Sequence, residues 1–208
     1  MEISVLFIGH SYARRAKEDR IEKGLDPNTI YIDNLKLNFK YIFKGGQNHK
    51  FFNENLKIRD EIKSHSPNIV ITALAGNAVA KTSLYDMATA QLEMRKYYCW
   101  LNETFPQALI IPIEAEPRFN HHHELPPDHD PKNESYKTRR KAMNNAIQRM
   151  KGKHSTILLY KQLNDRDLFI RKEKNPYVHL NQRGYEIYWG LIISGLRAAL
   201  SKYGFLHD

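Results

Sequence analysis

Short β-branched apolar runs recur along this chain, and they constrain its fold more than any other feature. Ile3-Ser4-Val5-Leu6-Phe7-Ile8 stops at Gly9, and similar runs lie at Ile69-Val70-Ile71-Thr72-Ala73-Leu74, Ala108-Leu109-Ile110-Ile111-Pro112-Ile113 and Thr156-Ile157-Leu158-Leu159-Tyr160. Runs of this length without polar alternation read as strands covered on both faces. A weaker strand candidate lies within Tyr31 to Phe43. Helical patterns fall between the runs. Ser83 followed by Asp86 resembles a capping box, after which Met87, Ala90, Met94, Tyr98, Leu101 and Phe105 share one face up to Pro106. A second helix is expected over Lys137 to Lys151, with Met143, Ile147 and Met150 inward. A third follows Asn181, with Tyr185, Tyr188, Ile192, Leu196 and Tyr203 inward and Gly204 as its stop, and a shorter one fills Asn55 to His65. Strands alternating with helices imply crossover connections. The expected fold class is therefore α/β: a three-layer α/β/α sandwich around a flavodoxin-like parallel sheet of about five strands. The 208 residues suit one domain spanning 1–208.

In such sheets reactive groups gather at the carboxyl ends of the strands. The residues there are Gly9-His10-Ser11, Gly45-Gly46-Gln47, Gly76-Asn77 and the stretch from Glu114 to Asp130. Ser11 follows a strand and a glycine, where a hydroxyl would stand at the sheet edge. The bland reading is an N-cap serine. Gly45-Gly46 and Gly76-Asn77 are each explicable as a turn or a strand exit. Together they offer what a tetrahedral oxyanion needs, donors fixed in advance: a glycine N–H, an asparagine amide and the nucleophile's own N–H. A serine nucleophile also needs a base, and His179 stands in a loop just ahead of the last helix.

These residues resemble the four blocks of the SGNH (GDSL-type) hydrolase superfamily. Its serine block, usually Gly-Asp-Ser, corresponds to Gly9-His10-Ser11, and its second-block glycine to Gly46. The third block, usually Gly-x-Asn-Asp, corresponds to Ala75-Gly76-Asn77-Ala78, and the last to Val178-His179-Leu180 followed by Gly184. The resemblance spans almost the whole chain. It implies Ser11 as nucleophile, His179 as base, and Ser11, Gly46 and Asn77 as the oxyanion hole. The implied reaction is hydrolysis of a small ester through an acyl-serine, with no cofactor and no metal. Gly-His-Ser-Tyr-Ala-Arg-Arg and Tyr136-Lys137-Thr138-Arg139-Arg140 also resemble, more loosely, the esterase-type domains of some animal retroelements.

Two departures from the family pattern stand out. The family places an Asp three residues before the histidine, to orient the imidazole, and here that position is Pro176. Glu173, Asp165, Asp167 or a backbone carbonyl are the substitutes in view, or the site is impaired. His10 and Ala78 replace two further Asp residues, so less acidic surroundings are expected.

Charge suggests context. Thirty-two Lys+Arg against 23 Asp+Glu give +9, a balance that favours an anionic partner. Arg14-Arg15-x-Lys17, Lys137 to Lys141 and Lys151-x-Lys153 read either as solvated helix faces or, for Arg139, Arg140 and Lys141 with Tyr136 beside them as a stacking group, as unspecific contacts to nucleic acid. The competing reading to the esterase is thus an impaired domain of the same fold that binds a polyanion. A flavodoxin-like or response-regulator-like domain would need a phosphate loop or acidic pocket after the first strand, and neither is there. His121-His122-His123-Glu124 with Asp128, His129 and Asp130 invites a metal, but three flanking prolines suggest an exposed loop, with a flap as another role. Cys99 is the single cysteine. It excludes an internal disulfide, suggests a reducing, intracellular and cytoplasmic setting, and reads as a buried structural thiol. Trp100 and Trp189 read as core. No apolar run reaches the ~18 residues that a membrane span requires.

Overall fold

The computed structural model describes residues 2–80, 86–118, 136–150, 162–170 and 179–205. The expected α/β/α sandwich is present. Strand β1 (Glu2–Gly9) lies at its centre, parallel to β3 (Leu35–Phe43) on one side and to β4 (Ile69–Ala73) on the other. Strand β5 (Leu109–Pro112) continues the parallel set beyond β4. Strand β2 (Thr29–Ile32) closes the opposite edge antiparallel to β3, giving the order β2-β3-β1-β4-β5 among the described residues.

The apolar runs are fully covered because successive side chains point to opposite sheet faces and both faces carry helices. Val5, Phe7, Ile71 and Ile111 pack against α1 (Ser11–Glu22) and α7 (Gln182–Lys202). Leu6, Ile8, Val70 and Ile110 pack against a second layer. That layer contains α2 (His49–Glu54), α3 (Leu56–Lys63), α4 (Ala75–Ala80), α5 (Met87–Thr104) and α6 (Tyr136–Gln148). The Trp189 indole donates to Ala16 O at 2.6 Å and ties α7 to α1. No helix among the described residues is long and apolar enough to cross a membrane.

Several expectations are refined. The single weak strand within Tyr31 to Phe43 is a hairpin, β2 and β3, turned at Asp33, whose φ of 53° lies in the left-handed region that Asp tolerates. The helix expected over Asn55 to His65 is preceded by α2, because Asn55 both ends α2 and caps α3 through its side chain. Cys99 is exposed, not buried: Tyr97, Tyr98, Trp100 and Leu101 occupy the inward arc of α5 and turn the thiol outward. Trp100 and Trp189 are core, as expected. Thr156 to Tyr160, Ser83, the basic residues Lys151 and Lys153, and the stretch from His121 to Asp130 lie outside the described residues.

Register places the site. Gly9 is level with Phe43 on one side and Ala73 on the other, and Thr72 is level with Pro112. The carboxyl ends of four parallel strands therefore form one edge, and the segments after each meet there.

Candidate active site

At the end of β1, His10 rather than Ser11 caps α1. Its backbone is extended and its Nδ1 accepts from Tyr12 N at 3.4 Å, which makes Ser11 the first helical residue. The N-cap reading of Ser11 is thereby replaced: the histidine takes the orphan amide, and the serine hydroxyl is left for other partners. His179 Nε2 stands 3.3 Å from Ser11 Oγ. Two elements at opposite ends of the chain meet there because His179 belongs to a pinned segment. Ile170 N donates to His179 O at 2.9 Å and Asn181 N to Leu168 O at 2.8 Å, so the loop pairs with the residues after the 3-10 turn Arg166–Leu168. The Tyr12 ring lies 5.9 Å from the imidazole, centroid to centroid.

The second and third strand ends are linked. Lys44 N donates to Gly9 O at 3.0 Å, and Gly46 turns the chain with φ of 68°, which glycine adopts without strain. Asn77 is 6% exposed in the first turn of α4, and its Nδ2 donates to Gln47 O at 3.1 Å. Gly76-Asn77 is thus the start of a short helix rather than a plain strand exit.

The fourth strand end contributes residues that the sequence patterns did not single out. His10 and Glu116 are both fully buried, with His10 Nε2 and Glu116 Oε1 3.5 Å apart, an ion-pair distance. Burial pushes the Glu116 carboxyl up, but His10 and then Arg118 outweigh it and hold it below its ordinary value. A carboxylate thus reaches the site from the segment beyond β5 and meets His10, the residue that stands where the resemblance has Asp. Gly76 makes room for it, since a Cβ there would stand 2.0 Å from Glu116 Oε2. Arg118 Nη2 donates to Asn77 Oδ1 at 2.8 Å. The available signal was the alternation Glu114, Glu116 directly after an all-apolar run, where burial is expected and charge needs a partner.

The other candidates are placed as follows. Asp165 is exposed and caps the 3-10 turn by accepting from Asp167 N at 2.9 Å, while Asp167 is exposed on the same turn. Glu173 and Pro176 lie outside the described residues. Of the basic trio in α6, Arg139 is 2% exposed and its Nε donates to Val79 O at 3.4 Å; Arg140 is half-buried and Lys141 exposed. Tyr136 is likewise buried, its hydroxyl donating to Glu116 O at 2.7 Å. Helical spacing explains both: residues 136, 139, 143 and 147 form the inward stripe. Among the described residues no cluster of His, Cys, Asp and Glu could hold a metal ion.

This sheet, with helices on both faces and a serine and a histidine meeting at its carboxyl edge, has the α/β/α fold of the SGNH hydrolases. Solved structures of that kind match over almost the whole chain. A psychrotrophic esterase from Pseudoalteromonas sp. matches with TM-score 0.57 at 11% identity, covering 98% of this chain and 99% of its own. A carbohydrate esterase family 3 protein from Talaromyces cellulolyticus matches with TM-score 0.62 at 14% identity, over 96% and 99%. The lipase/acylhydrolase from Enterococcus faecalis matches with TM-score 0.56 at 16% identity, over 94% and 96%. No protein-family model matches the sequence, and no curated protein matches it either.

Proposed function

We propose that the protein is a serine ester hydrolase acting on a small ester. The observation that carries this reading is the 3.3 Å approach of His179 Nε2 to Ser11 Oγ, which is within reach of proton transfer, since such contacts tighten when substrate binds. Ser11 Oγ attacks the acyl carbon while His179 Nε2 takes its proton. The carbonyl oxygen becomes the oxyanion of a tetrahedral intermediate, accepting from Ser11 N–H, Gly46 N–H and Asn77 Nδ2. Collapse breaks the ester C–O bond, and the imidazolium gives its proton to the departing alkoxide. Water, deprotonated by the same imidazole, then hydrolyses the acyl-serine and regenerates Ser11. The esterases and the lipase/acylhydrolase that share the fold support the same bond as target.

The test is turnover of a short-chain aryl ester together with labelling by a fluorophosphonate. Wild type is expected to do both, and Ser11→Ala to lose labelling and to slow turnover by ~10³-fold or more. A wild type that neither hydrolyses nor labels, indistinguishable from Ser11→Ala, sinks the reading.

A second reading, a polyanion-binding surface, draws on one feature of α6. Lys137, Arg140 and Lys141 line a cavity of about 300 Å³ together with Asn144, Asn145 and Gln148. Glu114 also lines it, its carboxyl pushed up by burial against the lowering effects of Gln148 and Arg140.

A further inference from the structure

We propose that Arg118 is a positioning residue for the oxyanion hole, fixing which end of the Asn77 carboxamide faces the developing charge. An asparagine amide is nearly symmetric in shape, and only its partners decide whether oxygen or nitrogen points a given way. Here the partners leave one choice. Arg118 carries donors only, so the atom 2.8 Å from its Nη2 is Asn77 Oδ1. The Gln47 carbonyl can only accept, so the atom 3.1 Å from it is Nδ2. Nδ2 has two hydrogens, and with one on Gln47 O the second is held for an oxyanion. A rotation of the side chain by half a turn would set Oδ1 against Gln47 O and present a lone pair to the intermediate.

Charge adds to orientation. A guanidinium on Oδ1 draws electron density from the amide, and a bond of this charge-assisted kind strengthens the donor at its other end. Arg118 itself is well supported. The chain ahead of it is pinned by Tyr136 OH to Glu116 O at 2.7 Å and by Tyr12 OH to Pro117 O at 3.5 Å. Its guanidinium lies 6.0 Å from the Tyr136 ring centroid. Fold and site are thereby coupled: the exit of β5, held between α1 and α6, sets a donor on α4.

The inference rests on the hydrolase reading, and the experiment separates the two. Aryl-ester kcat and KM and the rate of fluorophosphonate labelling are measured for wild type, Asn77→Ala, Arg118→Met, the double variant and Arg118→Lys, with thermal melts as a check of folding. Asn77→Ala is expected to lose ~10²- to 10³-fold in kcat, as loss of one oxyanion donor does. Arg118→Met is expected to lose ~10- to 100-fold in kcat with KM within ~3-fold. The double variant should be no slower than Asn77→Ala, because an effect routed through Asn77 vanishes without it. Arg118→Lys, which keeps a cation and a donor, should regain most of the rate even if the methionine variant folds poorly. An inactive wild type removes the hydrolase reading and this inference with it. An active wild type whose Arg118→Met and Asn77→Ala losses multiply, or whose Arg118→Met and Arg118→Lys rates equal wild type, overturns the role of Arg118 alone.

Discussion

His49 shows how a single residue can set a pH limit on the whole protein. It opens α2 with its ring 5.8 Å from those of Tyr97 and Tyr98, and it is 1% exposed with neither ring nitrogen hydrogen-bonded. Burial holds its pKa down to about 3, helped by His10 and opposed by Glu93. The unfolded chain takes the proton near the ordinary ~6.5. Between those values the unfolded state binds more protons, so stability is full above ~6.5 and falls as pH drops toward 3, by up to ~1.4 kcal/mol per pH unit. His49→Phe keeps the ring packing and removes this proton. Urea melts across pH should show the variant within ~1.5 kcal/mol of wild type at pH 7.5 and more stable than wild type by ~2 kcal/mol, relative to that difference, at pH 5. Parallel pH curves for the two proteins would contradict this account of His49. The same shortage of partners separates His49 from His10, which has Tyr12 N on one nitrogen and Glu116 near the other.

At the scale of elements, the junction between α7 and the segment before it controls where the base sits. Asn181 caps α7 by accepting from Gly184 N at 2.9 Å, and a Cβ on Gly184 would meet Leu168 O at 2.5 Å and Leu180 Cβ at 2.9 Å. Both obstacles are close to backbone that cannot swing away, so Gly184→Ala should cost ~1–3 kcal/mol. It should also slow Ser11 labelling by about tenfold or more, since ~1 Å of misplacement is enough to cost up to ~10²-fold. Thermal melts and labelling kinetics together check it, and lost stability with an unchanged labelling rate would detach this junction from the placement of His179. Gly184 was visible in the sequence only as a block residue, whereas the structure supplies its steric reason. Elements differ in the same way. Strands β1, β4 and β5 are legible because both their faces are apolar. In β3, Lys36, Asn38 and Lys40 alternate with the apolar residues, the period-two pattern of a strand with one better covered face, and on the edge strand β2 Tyr31 is 69% exposed, so neither shows the continuous apolar run that marks the other three. Ser11, Gly46, Asn77 and His179 stand at strand and helix ends that chain order already indicates. The partners of Glu116 and Arg118, His10 and Asn77, are set by how the exit of β5 packs against α1 and α4, so the Glu114, Glu116 alternation marks buried charge without naming what it meets.

For the whole molecule, the +9 charge is less uniform than the sequence suggests. Several cations are matched by neighbours: Lys23 with Asp19 and Glu186, Lys36 with Glu2, Lys96 with Glu93, and Arg197 with Asp33. Where such pairs are exposed they add little stability, but all of them lower the local positive potential. Around the α6 cavity Lys137, Arg140 and Lys141 gather on one side, while Tyr136 and Arg139, the residues that would stack on a base or clasp a second phosphate, face inward. Three surface cations without an aromatic platform give an attraction that is electrostatic and blind to base identity. With about three phosphates neutralised on a single strand, log K should fall with log salt at a slope near −2, so a random oligonucleotide should lose ~20-fold in affinity between 50 and 200 mM salt. Arg140→Glu and Lys141→Glu should each flatten that slope, by ~0.7 or more, while leaving ester turnover unchanged, because the cavity is built on α6 and not on the Ser11 turn. Fluorescence anisotropy over a salt series measures it. Binding that holds at 200 mM salt, or that survives both charge reversals, would require contacts that this face of α6 does not possess.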